Sequence, residues 1–216
     1  MFTISTNIKI LANELHKSFH FFNKAFFNNE LPEPSITIQG RGNRKNVMGW
    51  CTVLPVWKDV SDETTKYEIA MIGEYLNRGA YPILATLLHE MVHLYNLVNN
   101  IKDTTRNGTY HNKKFKDRAE MSGLIIEHDK SIGWSITRLQ PRTMQLIDNS
   151  DINKDIFTLY RREIEEILDT EDTEDTEETK SSSRKYVCPS CGTIIRATKE
   201  VNVLCIDCDT AFEIEE

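Results

Sequence analysis

Apolar residues recur with a helical period near the start of the chain. They are Leu11, Leu15, Phe19, Phe22 and Phe26. Spacings of four, four, three and four residues place these side chains on one face of a helix, so we predict an amphipathic helix over residues 6–28. Pro32 and Pro34 follow in the segment LPEPSITI. They interrupt the helical pattern and indicate a turn before the first strand.

Short strands and helices are predicted to alternate along the following residues. Segments rich in β-branched and aromatic residues, NVMGWCTVLPV, YEIAMI and GWSITRL, predict strands. Helices are predicted over residues 80–98, from about 111 to 121 and near 151–168. The polar segment NNIKDTTRNGTY, with its Asn-Gly turn signal, predicts a loop between the first two of these helices.

The net charge of −7 is concentrated in one short run. Residues 163–178, EIEEILDTEDTEDTEE, hold ten of the 33 acidic residues and no basic one. Residues 1–162 carry 21 basic and 17 acidic residues, a net charge of +4. A mildly basic body is compatible with a nucleic-acid partner but does not require one. The acidic run cannot bury apolar surface, so we predict a disordered linker over residues 163–184.

The length of 216 residues allows one domain with a sizeable core and a small appendage, which we assign to residues 1–162 and 185–216. No apolar run approaches the roughly 20 residues of a membrane-spanning helix. The start of the chain, MFTISTNIKI, lacks the basic residues and apolar stretch of a signal peptide. We therefore expect no membrane partner and a cytoplasmic location, beside the nucleoid if the host is bacterial.

The segment TLLHEMVHLYN places three ionisable residues in an apolar run. His89 and His93 are four residues apart and so share one face of a helix, where two imidazoles can bind one Zn²⁺. Glu90 lies next to the first of them and can act as general base towards a water bound to that zinc ion. Because buried charges need a partner or a metal, the apolar surroundings favour this interpretation over a chance match.

A catalytic zinc site needs a third protein ligand and an open position for water. His111 is the first candidate, because it follows a turn-rich loop that can fold back towards the helix. Glu120 and His128 are alternatives that the spacing leaves open.

Four of the five cysteines form two CxxC pairs near the C-terminus. Cys188, Cys191, Cys205 and Cys208 fit the pattern C-x₂-C-x₁₃-C-x₂-C. Four thiolates with this spacing predict a closed, structural zinc site that supplies the folding energy of a small zinc ribbon. The chain is therefore expected to hold two Zn²⁺ ions, one catalytic and one structural.

Basic and aromatic residues suggest two places where nucleic acid could bind. The glycine-flanked loop GRGNRKNVMGW contains Arg41, Arg44, Lys45 and Trp50, which could track phosphates and stack on unpaired bases. The ribbon adds Arg184, Lys185 and Arg196. A solvated loop and a core tryptophan are the competing interpretation of the first group, and a protein-binding or purely stabilising ribbon that of the second.

The order of these segments resembles the SprT-like, Spartan-related zinc metalloprotease family, in a compact form similar to bacterial or phage members. The resemblance rests on FNKAFFNNELPEPSI, MGWC, TLLHEMVHLYN, YHNKKFKDRAEMSGL and the terminal cysteine pairs. It covers roughly residues 8–140 and 185–210. It implies an α+β, zincin-like domain with a small antiparallel sheet packed on helices, with His89, His93 and His111 as zinc ligands and Glu90 as the base.

The resemblance also implies a function, namely zinc-dependent cleavage of proteins that are associated with DNA or crosslinked to it. A protein substrate and single-stranded or branched DNA are then the expected partners. The alternative is a DNA-binding adaptor in which both metal ions are structural and no peptide is cleaved. Glu90 separates the two hypotheses, because a purely structural metal site has no use for a neighbouring base.

Overall fold

The computed structural model describes residues 7–44, 46–163 and 184–215. It divides the chain into two compact units, Met1–Glu166 and Ile167–Glu216. The predicted linker, except for residues 163 and 184, lies outside the described residues, so the domain boundaries stay predictions.

Helix α1 spans Ile8–Phe26, as the apolar period of residues 6–28 predicts. The side chain of Asn7 caps its first turn by accepting a hydrogen bond from the N–H of Ile10 at 3.0 Å. The helix ends before Asn28 and Asn29, which both adopt the left-handed backbone conformation. The apolar stripe of α1 forms one wall of the core; it is fully buried except at Phe26, which is partly buried.

A three-stranded sheet lies against the helices. Its strands are β1 (Ser35–Gln39), β2 (Gly49–Cys51) and β5 (Glu68–Ile72), and a two-stranded hairpin of β3 (Trp57–Lys58) and β4 (Thr65–Lys66) lies between β2 and β5 in sequence. The fully buried β5 is central, antiparallel to β2 but parallel to β1. The expectation of an antiparallel sheet is therefore wrong for β1 and β5. The long connection between these two strands lets the chain return in the same direction.

Helix α2 spans Ala80–Val98, the same residues that the sequence predicts. Leucine, isoleucine, methionine and valine side chains cover almost its whole circumference, and most of them are fully buried. A helix that is apolar on all sides lies within the core, between α1 and the two sheets of the first unit.

A second sheet closes the other side of α2. It has the order β6-β7-β9-β8, with β6 (Thr104–Thr105), β7 (Tyr110–His111), β8 (Leu124–Asp129) and β9 (Gly133–Leu139). Helix α3 (Lys113–Met121) lies between β7 and β8, and α4 (Pro141–Asp148) follows β9. The helix predicted from about residue 111 begins at Lys113, because the side chain of Asn112 caps its first turn. His111 therefore lies on strand β7 and not on the helix.

The helix predicted near residues 151–168 is not observed over the described part of that range. A single 3₁₀ turn, Lys154–Ile156, is followed by two turn residues and then by chain without regular secondary structure up to residue 163. The N–H of Arg161 donates to the carbonyl of Gly73 at 3.0 Å. This tertiary hydrogen bond holds the backbone away from a helical conformation.

In the described part of the C-terminal unit, residues 184–215, the secondary structure consists of short strands. They are β10 (Arg184–Val187), β11 (Ile194–Ala197), β12 (Leu204–Cys205), β13 (Thr210–Ala211) and β14 (Glu213–Glu215). Strand β10 pairs with β11 and β14, and β12 pairs with β13. Tyr186 is buried, and its hydroxyl accepts a hydrogen bond from the N–H of Val201 at 3.1 Å.

No helix among the described residues is long and apolar enough to cross a membrane.

Replacement of Gly123 by alanine should destabilise the first unit far more than the same change at Gly108. Both glycines have positive φ, 85° and 88°, so each alanine should cost about 1 kcal/mol or more in backbone strain. A Cβ at Gly123 would also lie 2.3 Å from Oγ1 of Thr143 and 2.8 Å from Cζ of Phe26, whereas Gly108 has open space. This overlap should add about 1–3 kcal/mol to the loss of unfolding free energy. Urea unfolding followed by circular dichroism measures the difference, and equal losses would contradict the assigned contacts.

Candidate active site

Helix α2 presents two histidines and a glutamate to one side of the buried core. His89 and His93 lie one turn apart, with ring centroids 5.0 Å from each other. His89 and Glu90 are 8% and 5% exposed, so these polar side chains sit at the wall of the site and not on an open surface.

His111, from strand β7, completes a group of three imidazoles. The Nε2 atom of His93 lies 3.2 Å from that of His89 and 3.0 Å from that of His111, and the remaining pair is 3.3 Å apart. Three nitrogens about 2.0–2.1 Å from one tetrahedral zinc ion would be separated by roughly 3.3 Å. The spacing therefore fits a single small metal ion.

In two of the three rings, the second nitrogen, Nδ1, lies within hydrogen-bond distance of an oxygen that can only accept. The Nδ1 of His93 is 2.7 Å from Oδ2 of Asp103, and the Nδ1 of His111 is 3.2 Å from the carbonyl oxygen of Ile132. A carboxylate and a carbonyl can only accept, so each Nδ1 carries the proton. The Nε2 atoms of these rings are then free to offer a lone pair.

The third ring is oriented by a hydroxyl. The Nδ1 of His89 lies 2.8 Å from Oγ1 of Thr137, whose own hydrogen is donated to the carbonyl of Ser135 at 2.9 Å. Thr137 must therefore accept from His89, which again leaves the lone pair on Nε2. Three lone pairs directed at one point repel one another unless a cation lies between them. This donor set fits a divalent metal ion such as Zn²⁺.

Phe115, fully buried on α3, packs against all three imidazoles. Its ring centroid lies 4.5 Å from those of His89 and His93 and 4.7 Å from that of His111. The aromatic ring limits rotation of the histidines and keeps water away from one side of the group.

The surroundings keep two of the imidazoles neutral. Burial, followed by the neighbouring histidines, lowers the pKa of His89 well below its usual value, and burial and His93 lower the pKa of His111 to about 4. Burial also acts to lower the pKa of His93. The hydrogen bond and charge of Asp103, with the charge of Glu90, outweigh it and raise the pKa of His93.

Glu90 lies where helix α2 meets strand β2. A Cβ added to Gly49 would be 3.3 Å from Cγ of Glu90 and 2.9 Å from the carbonyl oxygen of Ala70, so glycine permits this close approach. Burial, with a smaller contribution from the charge of Asp103, raises the pKa of the Glu90 carboxyl to about 7. The charge of His93 and the backbone N–H of Cys51 act against this shift. A carboxyl with this pKa can accept and release a proton near neutral pH.

The two competing ligands lie elsewhere. Nε2 of His128 is 3.1 Å from the hydroxyl of Tyr110, and Glu120 is paired with Lys116 on α3. Among the described residues, the group able to hold a metal ion at this place consists of His89, His93 and His111.

The four cysteines of the C-terminal unit also converge. Their Sγ atoms all lie within 4.8 Å of one another, and those of Cys191 and Cys205 are 3.8 Å apart. Zn–S bonds of about 2.3 Å place tetrahedral sulfurs roughly 3.8 Å apart. The donor set and the spacing fit zinc.

Comparison with protein families agrees with this geometry. The model of the SprT-like family matches residues 15–132, more than half of the chain. The chain belongs to the SprT-like family. Its first unit is therefore a domain of metalloprotease type, with α and β elements mixed. Searches of the curated proteins and of the solved structures find no significant match.

The residues proposed for nucleic acid in the SprT-like unit are only partly brought together. The guanidinium of Arg44 lies 4.2 Å from the ring centroid of Trp50, on β2. Arg41 is instead paired with Glu163, at 2.7 Å between Nη1 and Oε1. Lys45 lies outside the described residues.

In the C-terminal unit, Lys185 and Arg196 are opposite each other on β10 and β11. Lys185 forms an ion pair with Glu215, and Arg184 donates to the carbonyl of Thr198 at 3.4 Å. Arg196 is exposed. The basic groups of this unit are thus partly engaged within it.

Sequence reasoning missed the residues that orient the imidazoles. Asp103 had a signal, since it is the only acidic residue between His93 and His111 and metal-bound histidines commonly donate to a carboxylate. Thr137 and Phe115 had none, because both reach the site through tertiary packing.

Replacement of Asp103 by asparagine should lower the affinity of the three-histidine site for zinc about 10–100-fold. The change removes the negative charge beside His93. It leaves a neutral amide oxygen, a weaker acceptor, at the position of Oδ2, where the Nδ1 of His93 and the side-chain amide of Asn96 both donate, at 2.7 and 3.1 Å. Competition with a chromophoric zinc chelator measures the loss, with the cysteine site as internal reference. Asp117→Asn, at an exposed position on α3, is the control. An equal loss in both variants would refute the role of Asp103.

Proposed function

We propose that this SprT-like chain is a zinc-dependent endopeptidase with a zincin-like domain. The observation that carries the proposal is the convergence of three imidazole lone pairs beside a buried carboxylate. Glu90 makes none of the hydrogen bonds that orient the rings, so the orientation of the imidazoles does not account for a carboxylate at this position.

The chemistry divides between the metal ion and the chain. Zinc, when bound, would supply a Lewis acid for the scissile carbonyl and lower the pKa of water at the site. Glu90 would take the proton of the attacking water and pass it to the leaving amine. The raised pKa of this carboxyl suits both steps, since the group must gain and lose a proton within one catalytic cycle. Asp103 and Thr137 would keep the imidazoles in the required tautomer.

Strand β2 supplies a place for the substrate backbone. The N–H of Thr52 donates to the carbonyl of Glu68 at 2.9 Å. Alternate residues of an antiparallel strand bond to the same neighbour, so the N–H and C=O groups of Gly49 and Cys51 point away from β5. β2 is the edge strand of its sheet and runs past Glu90. An extended peptide could add to this edge and bring a scissile bond to the site.

We further propose that the substrates are proteins associated with DNA or crosslinked to it. The support is the resemblance in sequence, together with the stacked pair formed by Arg44, in the loop before β2, and Trp50, on β2. A cation over an indole ring can contact a phosphate while the ring stacks on an unpaired base. Binding of DNA here would place protein bound to it close to the β2 edge.

Replacement of Glu90 by glutamine should lower kcat/KM for casein or histone cleavage by about 10²–10⁴-fold, because glutamine cannot accept the proton. Zinc content should stay unchanged. Initial rates with and without DNA, together with metal analysis of the same samples, measure both quantities. Glu120→Gln, on the surface of α3, serves as the control. Equal activity of wild type and Glu90→Gln would eliminate the catalytic role and favour the adaptor hypothesis.

Replacement of Arg44 by alanine should weaken binding of single-stranded DNA and reduce its salt dependence. Loss of one phosphate contact should lower the slope of log K against log salt by about 0.7. Arg41→Ala should have a smaller effect, because its guanidinium is already paired with Glu163. Fluorescence anisotropy of a labelled oligonucleotide over a series of salt concentrations measures the slopes. A wild-type affinity that does not change with salt would exclude the phosphate contacts.

A further inference from the structure

The segment after β2 exposes an unusual amount of apolar surface. Its large apolar side chains are Val53, Leu54, Val56, Trp57 and Val60, with exposures of 74%, 68%, 57%, 49% and 88%. We call residues 53–60 the apolar segment. Single exposed apolar residues are common on proteins, but a continuous group of this kind typically marks a binding surface.

The exposure belongs to an ordered structure. The N–H of Val56 donates to the carbonyl of Lys66 at 3.0 Å, and that of Asp59 to Thr64 at 2.8 Å, so the hairpin is held by main-chain bonds. The carboxylate of Asp59 also accepts from the N–H of Ser61 at 2.8 Å. A surface formed in advance loses little conformational entropy when it binds.

The apolar segment continues directly from the strand that borders the candidate active site. Val53 is two residues beyond Cys51, whose N–H interacts with the Glu90 carboxylate. At about 3.3–3.6 Å per residue, Val56 lies within roughly 18 Å of Cys51 along the chain. A ligand that touches both the base and the apolar segment therefore needs to span only about five extended residues.

We propose that the apolar segment binds apolar side chains of an extended polypeptide whose scissile bond lies at Glu90. The substrate class would then be apolar stretches exposed in unfolded or partly unfolded proteins, an inference that rests on the proposed endopeptidase function. A native protein buries such side chains, so this surface would select non-native segments.

The charges of the hairpin favour a polypeptide over an anionic lipid surface. Residues 53–66 contain three acidic and two basic residues, and Lys58 is already paired with Glu63 at 3.1 Å. Binding to an anionic membrane needs a basic surface. The side of β2 that faces away from β5, directly before the segment, is by contrast suited to a peptide chain.

Binding can be tested apart from catalysis in the full-length, zinc-loaded Glu90→Gln protein. The probes are two fluorescein-labelled, unstructured peptides of twelve residues, one with leucine and valine at alternate positions and one with serine and glutamine there. We expect the apolar peptide to bind roughly tenfold more tightly. The triple variant Val53→Ser, Leu54→Ser, Val56→Ser should reduce this ratio towards one. Met121→Ser, whose side chain is also 74% exposed but lies on α3, should retain the ratio.

Three results would overturn the inference. They are equal affinity of the parent for both peptides, a ratio that survives in the triple variant, and a dimer that sedimentation shows to dissociate in the triple variant. The last would identify the apolar segment as an interface between two copies. Hydrolysis of both peptides by the wild type is measured in parallel. Selective binding without hydrolysis would refute the endopeptidase proposal while supporting the binding surface.

Discussion

The direction of three lone pairs towards one point is the constraint on which the first unit depends. Each imidazole is fixed by a partner from a different part of the chain: Asp103 in the loop after α2, Thr137 on β9 and the carbonyl of Ile132 before β9. These partners leave every Nε2 as an acceptor, and three acceptors 3.0–3.3 Å apart are unfavourable without a cation. Binding of a divalent cation at this point would therefore be coupled to the folding of this half of the unit.

The same constraint explains why α2 is apolar all round. A helix that carries metal ligands inside the core must fill the space between α1 and both sheets with the rest of its surface. Close packing limits displacement of His89 and His93, and Phe115 limits rotation of the rings. The rigidity of the site follows from the burial of the helix that carries it.

Sequence reasoning succeeded where local geometry decides the result. The bounds of α2 and the pairing of His89 with His93 depend only on the helical period, and both appear in the structure as expected. The position of His111 depends on how a loop folds back, so spacing alone left Glu120 and His128 as alternatives. The parallel pairing of β1 with β5 is equally non-local.

Helix prediction failed at the end of the first unit for a related reason. Residues 157–163 have an apolar and charged pattern that suits a helix, but the backbone of Arg161 pairs with Gly73 instead. A tertiary hydrogen bond of this kind competes with the i to i+4 bonds of a helix and has no local signature. The same limitation applies to Thr137, whose side chain reaches His89 only after β9 has joined the sheet.

The two candidate metal sites differ in a way that bears on their roles. In the C-terminal unit, four soft sulfur ligands could fill all four positions of a tetrahedral zinc ion, which would leave no position for a reactant. In the first unit, the candidate ligands among the described residues are three histidines, and a buried carboxyl with a raised pKa lies beside them. At a purely structural site such a carboxyl would cost free energy of burial without adding a ligand. The presence of Glu90 there is consistent with proton transfer, and the position of β2 at one edge of its sheet is consistent with the addition of a peptide strand.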